Sequence, residues 1–284
     1  MVVGVSGCIE KGPVMEFKDI LVHLDNSRQC ETRLELAVRL AREHNAHLTG
    51  LYVITHPHYA PQGEALNQKV RQAKELFQSK TVGAGIDAEH LCADWGVTGD
   101  SMVEILNHYA HRKDLVIVGQ TVQGGAQEDV PADLPERVVL GAGRPVLVVP
   151  YAGRFGNVGE RVVVAWKAGR GSARALHDAM PFLLKAKQVF VVTIKSSGDQ
   201  EVADIYGDGT IVTHLERYNI RVKEEILETG DAPVGNLLMN YAWEHGCYLL
   251  VMGVPAQTAH GTTAIGPVAR TFFEHMTLPV LMSN

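Results

Sequence analysis

The chain has 284 residues, 46% hydrophobic and 20% charged, with a formal net charge of −6. That length suits two domains, each with its own core. The acidic balance argues against a general nucleic-acid or membrane-surface role, since both need a basic face.

No apolar run approaches the ~20 residues needed to span a bilayer. The four cysteines form no CxxC pair and no metal-finger spacing, which fits a reduced cytoplasm. Val5-Ser6-Gly7-Cys8 looks like a lipoprotein cleavage box, but no Lys or Arg precedes it and the apolar stretch is short. Residues 1–14 therefore read as a disordered extension, with the fold beginning near Met15.

Phe17 to Leu24 is an apolar strand of the kind buried in a parallel sheet. Asp25-Asn26-Ser27 follows as a helix-capping cluster. Thr32 to His44 carries Leu34, Ala37, Val38 and Ala41 at helical spacing. Ala46 to Ile54 is a second strand, Leu66 to Lys80 a polar-rich helix, and His90 to Trp95 a third strand. Ser101 to His111 is a helix, and Leu115 to Val118 and Val146 to Val149 are the fourth and fifth strands.

Tyr151 to Gly159 reads as a linker. The second half repeats the scheme with a strand at Arg161 to Trp166, a helix near Ser172 to Leu184 and a strand at Gln188 to Ile194. A helix at Val202 to Tyr218, a strand at Val222 to Glu228 and a helix at Val234 to His245 follow. Then come a strand at Leu249 to Met252, a polar loop from Gly253 to Gly266, a helix at Val268 to His275 and a last apolar run, Pro279 to Met282.

The halves align residue by residue. Ile20 to Asp25 pairs with Val162 to Lys167, Thr98-Gly99-Asp100 with Thr229-Gly230-Asp231, and Tyr109-Ala110 with Tyr241-Ala242. Gly119 stands where Gly253 does, and Arg144-Pro145-Val146-Leu147 where Leu278-Pro279-Val280-Leu281 does. A period of about 130 to 140 residues means two duplicated domains and not a solenoid. The expectation is two doubly wound, five-stranded, mostly parallel Rossmann-like sheets of strand order 3-2-1-4-5, in domains 15–152 and 157–284. Ligands of such sheets bind beyond the carboxyl ends of the strands, where strand order reverses. That brings Asp25 near Gly119, and Lys167 near Gly253.

With these features the chain resembles the universal stress protein family in its tandem two-domain form. The features carrying the resemblance are the first strand ending in Asp25-Asn26-Ser27, the Gly-Asp turns, Val118-Gly119 and Met252-Gly253, and the closing Arg144-to-Pro150 run. The resemblance implies a stress-response or regulatory protein with small-ligand clefts. Members of the family that bind ATP carry Gly, two residues, Gly, nine residues, Gly, then Ser or Thr, with an Asp ending the first strand.

Neither half keeps that full set. In the second half Gly253 and Gly266 match, whereas Ala256, Pro267 and Lys167 replace the middle glycine, the hydroxyl residue and the Asp. In the first half Asp25 and Gly119 match, but Val122, Ala132 and Asp133 depart, and Glu128, Asp129, Asp133 and Glu136 would repel a phosphate. Losing two donors to a charged phosphate, about 1.5–3 kcal/mol each, weakens binding by roughly two to four orders of magnitude.

The expected site residues are thus Asp25, Gly119, Trp166, Lys167, Gly253, Thr263, Gly266 and Pro267, with Thr262, His260 and Arg270 also offered by the second loop. The alternative is an ATP-binding member of the family that uses the second half, with magnesium and slow hydrolysis. Trp166 either stacks on a purine or fills the pocket itself. His56 and His58 lack a third ligand and read as a solvated loop, so no metal is expected. His108 and His111 read as solvent-facing. No nucleophile elbow, HExxH or P-loop lysine motif is present, and no catalysis is asserted. The fifth strands are expected to join the halves as a pseudo-dimer, with a homodimer of whole chains as a further expectation.

Overall fold

The computed structural model describes residues 15–54, 64–94, 99–121, 130–195, 210–230, 232–254, 257–259 and 262–284. The expectations for residues 1–14, His56, His58, Val122, Glu128, Asp129, Ala256 and His260 fall outside them.

The first half runs β1 (Asp19–Leu24), α1 (Gln29–His44), β2 (His47–Ile54), α2 (Glu64–Thr81), β3 (Ala88–Asp94), α3 (Gly99–Ala110), β4 (Leu115–Gly119), α4 (Leu134–Gly141) and β5 (Val146–Val149). The second runs β6 (Arg161–Ala165), α5 (Arg170–Leu183), β7 (Gln188–Lys195), α6 (Ile211–Glu216), β8 (Val222–Glu228), α7 (Val234–Glu244) and β9 (Leu249–Gly253). It closes with β10 (Gln257–Ala259), β11 (Thr262–Ala264), α8 (Pro267–His275) and β12 (Val280–Ser283).

Ten strands form one sheet in the order β3-β2-β1-β4-β5-β12-β9-β6-β7-β8. Each half contributes the 3-2-1-4-5 order with parallel pairing throughout. The halves meet where β5 and β12 pair antiparallel, Val148 opposite Val280 and Val146 opposite Met282. An apolar strand left open at a sheet edge invites pairing, and here each fifth strand closes the other.

The central strands are buried on both faces, so they read as continuous runs of Val, Leu and Ile. One face is covered by α1, α2, α5 and α6, the other by α3, α4, α7 and α8.

Three local expectations are corrected. The stretch after Gly253 is not simply a polar loop, because Gln257–Ala259 and Thr262–Ala264 pair as a short antiparallel ribbon in which the threonines suit strand geometry. The helix expected over Val202 to Tyr218 is, in its described part, only Ile211–Glu216. It begins there because Thr210 caps it, its hydroxyl accepting from the Thr213 N–H at 3.2 Å. Asp25-Asn26-Ser27 provides no side-chain cap for α1. The Asp25 carboxylate instead accepts from the Ser27 N–H at 2.8 Å, and Asn26 bonds the Tyr52 hydroxyl (2.7 Å) and the Lys69 carbonyl (3.1 Å).

Side chains also stitch the halves together. Gln120, directly after β4, is buried, donates to the Phe273 carbonyl at 2.8 Å and accepts from the Tyr151 N–H at 3.2 Å. On the opposite face Phe17 packs edge-on against Phe182 at 5.2 Å, and His44 lies between them and Lys185. Lys185 donates to the Glu43 carbonyl at 2.7 Å, closing the carboxyl end of α1.

Burial, together with the Lys185 charge, pushes the His44 imidazole down to about 4. A depressed folded pKa means that the fold prefers neutral His44. Its contribution is complete above the unfolded value near 6.5 and declines as pH falls from there towards 4. Denaturation midpoints measured from pH 7 to 4 should therefore fall, and Lys185→Met should flatten that fall. An unchanged slope in Lys185→Met would show that Lys185 does not set the His44 titration.

Candidate functional site

In the first half Asp25 follows β1 and Gly119 ends β4, and β1 lies beside β4 in the sheet. Arg33, on the inner face of α1 and only 2% exposed, joins them. Its Nη2 donates to Asp25 Oδ2 at 2.8 Å, and its Nε donates to the His23 carbonyl at 2.9 Å. Its Nη1 lies so close over Gly119 that any Cβ there would overlap it.

Burial alone would raise the Asp25 carboxyl. The Arg33 guanidinium, helped by His23 and by hydrogen bonds from Ser27 and Arg33, holds it well below the usual carboxylate range. Both Asp25 oxygens are thereby engaged within the protein. His23 is fully buried beside them, its Nε2 has no partner among the described residues, and burial pushes its pKa down to about 4. An unpaired imidazole in a dry site is stable only when neutral.

The second half is built differently at the same strand ends. Ala175 stands where Arg33 does, and Lys167 where Asp25 does. Lys167 is exposed and makes no ion pair among the described residues, while its N–H reaches the Ser172 hydroxyl at 3.4 Å. Gly169 and Arg170 follow, and the first turn of α5 holds no acid. Trp166 is half-buried and packs against the core on the α5 face.

Gly253 ends β9 with the first turn of α5 pressed onto it. A Cβ there would lie 2.5 Å from the Gly171 carbonyl oxygen and 2.7 Å from the Ser172 nitrogen. The close approach of helix to strand is itself sufficient reason for glycine. Gly266 caps α8 in an extended conformation with no side-chain acceptor, and Pro267 is its exposed first residue. Proline fits that turn but brings no N–H. Thr263 pairs with Thr258 in the β10–β11 ribbon, and its side chain lies outside the described residues.

In the other loop Asp133 precedes α4 without capping it. Burial raises the Glu136 carboxyl, although Arg270 of the second half lies near enough to oppose that. Arg270 is thus shared with an acid of the first half and is not free for an anion alone.

The structure therefore brings Asp25 and Gly119 together through Arg33, and links Lys167 to Gly253 through Ser172. Gly266, Pro267 and Thr263 belong to the segment leading into α8, on the other face of the sheet. Arg33 is absent from the sequence-based set. Its signal was present, since it shares the inward face of α1 with Cys30, Ala37 and Leu40 and so places a charge among core positions. Among the described residues no group of three or more His, Cys, Asp or Glu side chains is placed to hold a metal. His108 and His111 are exposed.

Two doubly wound domains of one strand order, joined through their fifth strands, are what this topology defines. Residues 16–150 match the family model described as the universal stress protein family. The first half, residues 16–150, carries the domain of that family, and a second half of the same strand order follows it.

No curated protein matches the sequence significantly. Among solved structures, a universal stress protein from Archaeoglobus fulgidus DSM 4304 is 16% identical over 94% of this chain and 98% of its own, with a TM-score of 0.72. A putative universal stress protein from Pseudomonas aeruginosa UCBPP-PA14 is 18% identical over 94% of this chain and 93% of its own, with a TM-score of 0.60. Similarity at that level establishes the shared fold. Among the described residues, no helix is long and apolar enough to cross a membrane.

Proposed function

We propose that the protein is a cytoplasmic stress-response or regulatory protein of two domains, 15–152 and 157–284, that senses a small anionic ligand through the second domain without turnover. The observation supporting this reading is the contrast between the two strand-end sites. In the first, carboxylate and guanidinium neutralise each other in a buried pair 2.8 Å apart. In the second, Lys167 stands exposed and without an ion pair among the described residues, beside Arg170 at the amino end of α5, whose backbone N–H groups and dipole favour an anion.

ATP with magnesium in the second domain is the second reading, favoured by Gly266 at the head of α8 with no acid in its first turn. Pro267 counts against it by removing a phosphate donor.

Calorimetric titration of the full chain with pyrophosphate, AMP and ATP–magnesium tests both. Anion binding is expected in about the tens-of-micromolar range or weaker, reduced about tenfold or more by Lys167→Asp. Equal affinity in native protein and Lys167→Asp would dispose of the anion reading. Submicromolar ATP binding that survives Lys167→Asp would favour the α8 site instead.

A further inference from the structure

The duplication supplies an internal comparison at the opposite, amino-terminal ends of the strands. Leu21 pairs with Thr49 as Val163 pairs with Phe190, so Thr49 and Phe190 hold one position in the two halves. In the second half the Phe190 ring fills the space under α7. It packs against Tyr241 at 5.9 Å and His245 at 5.3 Å, with the Arg161 guanidinium 5.2 Å over its face.

In the first half the buried threonine carries no ring. Lys113 spans part of the gap, Nζ to Thr49 Oγ1 at 2.8 Å and to Asp19 Oδ1 at 3.2 Å. An open depression of about 310 Å³ remains, lined by Glu89, Leu91, Tyr109, Arg112 and Lys113.

Its two rims carry opposite charge. Glu89 uses Oε1 to accept from the Thr49 hydroxyl at 3.0 Å and to face His47 Nε2 at 3.4 Å, and among the described residues its Oε2 is uncommitted. The Arg112 guanidinium lies over the Tyr109 ring at 5.8 Å and forms no ion pair among the described residues. Lys113 is already neutralised by Asp19. Between the rims Leu91 and the half-buried Tyr109 offer an apolar floor. The volume sits at the low end of the roughly 300–1,000 Å³ of ligand pockets, which suits an occupant smaller than a nucleotide.

We propose that this depression binds the free zwitterion of an apolar or aromatic α-amino acid. Its carboxylate would pair with Arg112, its ammonium with Glu89, and its side chain would lie on Leu91 and Tyr109. A guanidinium matches a carboxylate in two parallel hydrogen bonds, and an anion alone would be repelled by Glu89. The site is at the other end of the sheet from the strand-end crevices and stands independently of the anion reading.

The test is calorimetry and thermal shift on the full chain with L-phenylalanine, L-tyrosine and L-leucine. Phenylacetate and phenethylamine serve as probes that each lack one charge. At least one amino acid is expected to bind saturably and to bind about tenfold more tightly than either single-charge probe. Arg112→Ala and Glu89→Gln, both at exposed side chains, should each weaken it about tenfold or more. Thr49→Phe, which installs the residue of the second half, should remove it. Saturable binding by none of the three amino acids overturns the proposal. So does affinity unchanged in Arg112→Ala, or phenylacetate binding as tightly as the zwitterions.

Discussion

Arg33→Ala should be the most damaging single change of a charged residue, costing about 3–5 kcal/mol of unfolding free energy. Its guanidinium is 2% exposed and holds two acceptors, the Asp25 carboxylate and the His23 carbonyl. Without it the carboxylate is left almost dry, keeping only the Ser27 N–H. The pH dependence should distinguish this from simple loss of packing.

In the native protein the Asp25 pKa is depressed below its unfolded value near 3.9. The pair's stabilisation is therefore present above that pH and is lost as pH falls below it. In Arg33→Ala, burial without the cation raises the Asp25 pKa above its unfolded value. The deficit relative to native protein should then shrink as pH falls from 7, the opposite sign. The titration of His44 is common to both proteins and cancels in the difference. Removing Arg33 also takes away a charge that lowers the His23 pKa, which shrinks the deficit in the same direction. Arg33→Ala with Asp25→Ala should be less unstable than the two single losses added together. Denaturant unfolding from pH 7 to 4 measures all three, and strict additivity with a pH-independent deficit would show that the pair is uncoupled.

Gly253→Ala is expected to cost about 3 kcal/mol, at the upper end of what overpacking usually costs. The added methyl meets backbone, the Gly171 carbonyl oxygen at 2.5 Å and the Ser172 nitrogen at 2.7 Å, and backbone cannot rotate aside as a side chain can. The first turn of α5 must move off β9, carrying Ser172 and the Lys167 N–H bonded to it. Any ligand held by Lys167 and α5 should weaken in parallel. Gly119→Ala is the control of different character, since its methyl meets the end of the Arg33 side chain. It should act by disturbing the Asp25 pair and should mimic part of the Arg33→Ala pH behaviour. A Gly253→Ala protein with native stability would mean that α5 does not press on β9 in solution.

The sequence by itself determined the alternation of strands and helices, the duplication and the order of strands. Buried parallel strands must be apolar on both faces, and runs such as Val162-Val163-Val164 and Leu249-Leu250-Val251 carry that requirement locally. The joining of the halves through Val146–Val149 and Val280–Ser283 was legible for the same reason, as apolar runs lying at a sheet edge.

The fate of Asp25 was decided only by the tertiary structure. Whether a carboxylate at a strand end receives a ligand or a guanidinium depends on which face of α1 points inward, and Arg33 becomes its partner only once that helix docks. Gly253 is similar. A glycine after a strand is compatible with an anion loop or with a close backbone approach, and the distance to Gly171 and Ser172 is a property of packing. The depression beside Arg112 depends on what the second strand of each half presents under the helix that carries Tyr109 or Tyr241, a threonine in one half and a phenylalanine in the other. Local pattern fixes periodicity and burial, because each is set by a residue and its near neighbours. Charge partners and cavities are set by residues far apart in the chain, and those meet only in the fold.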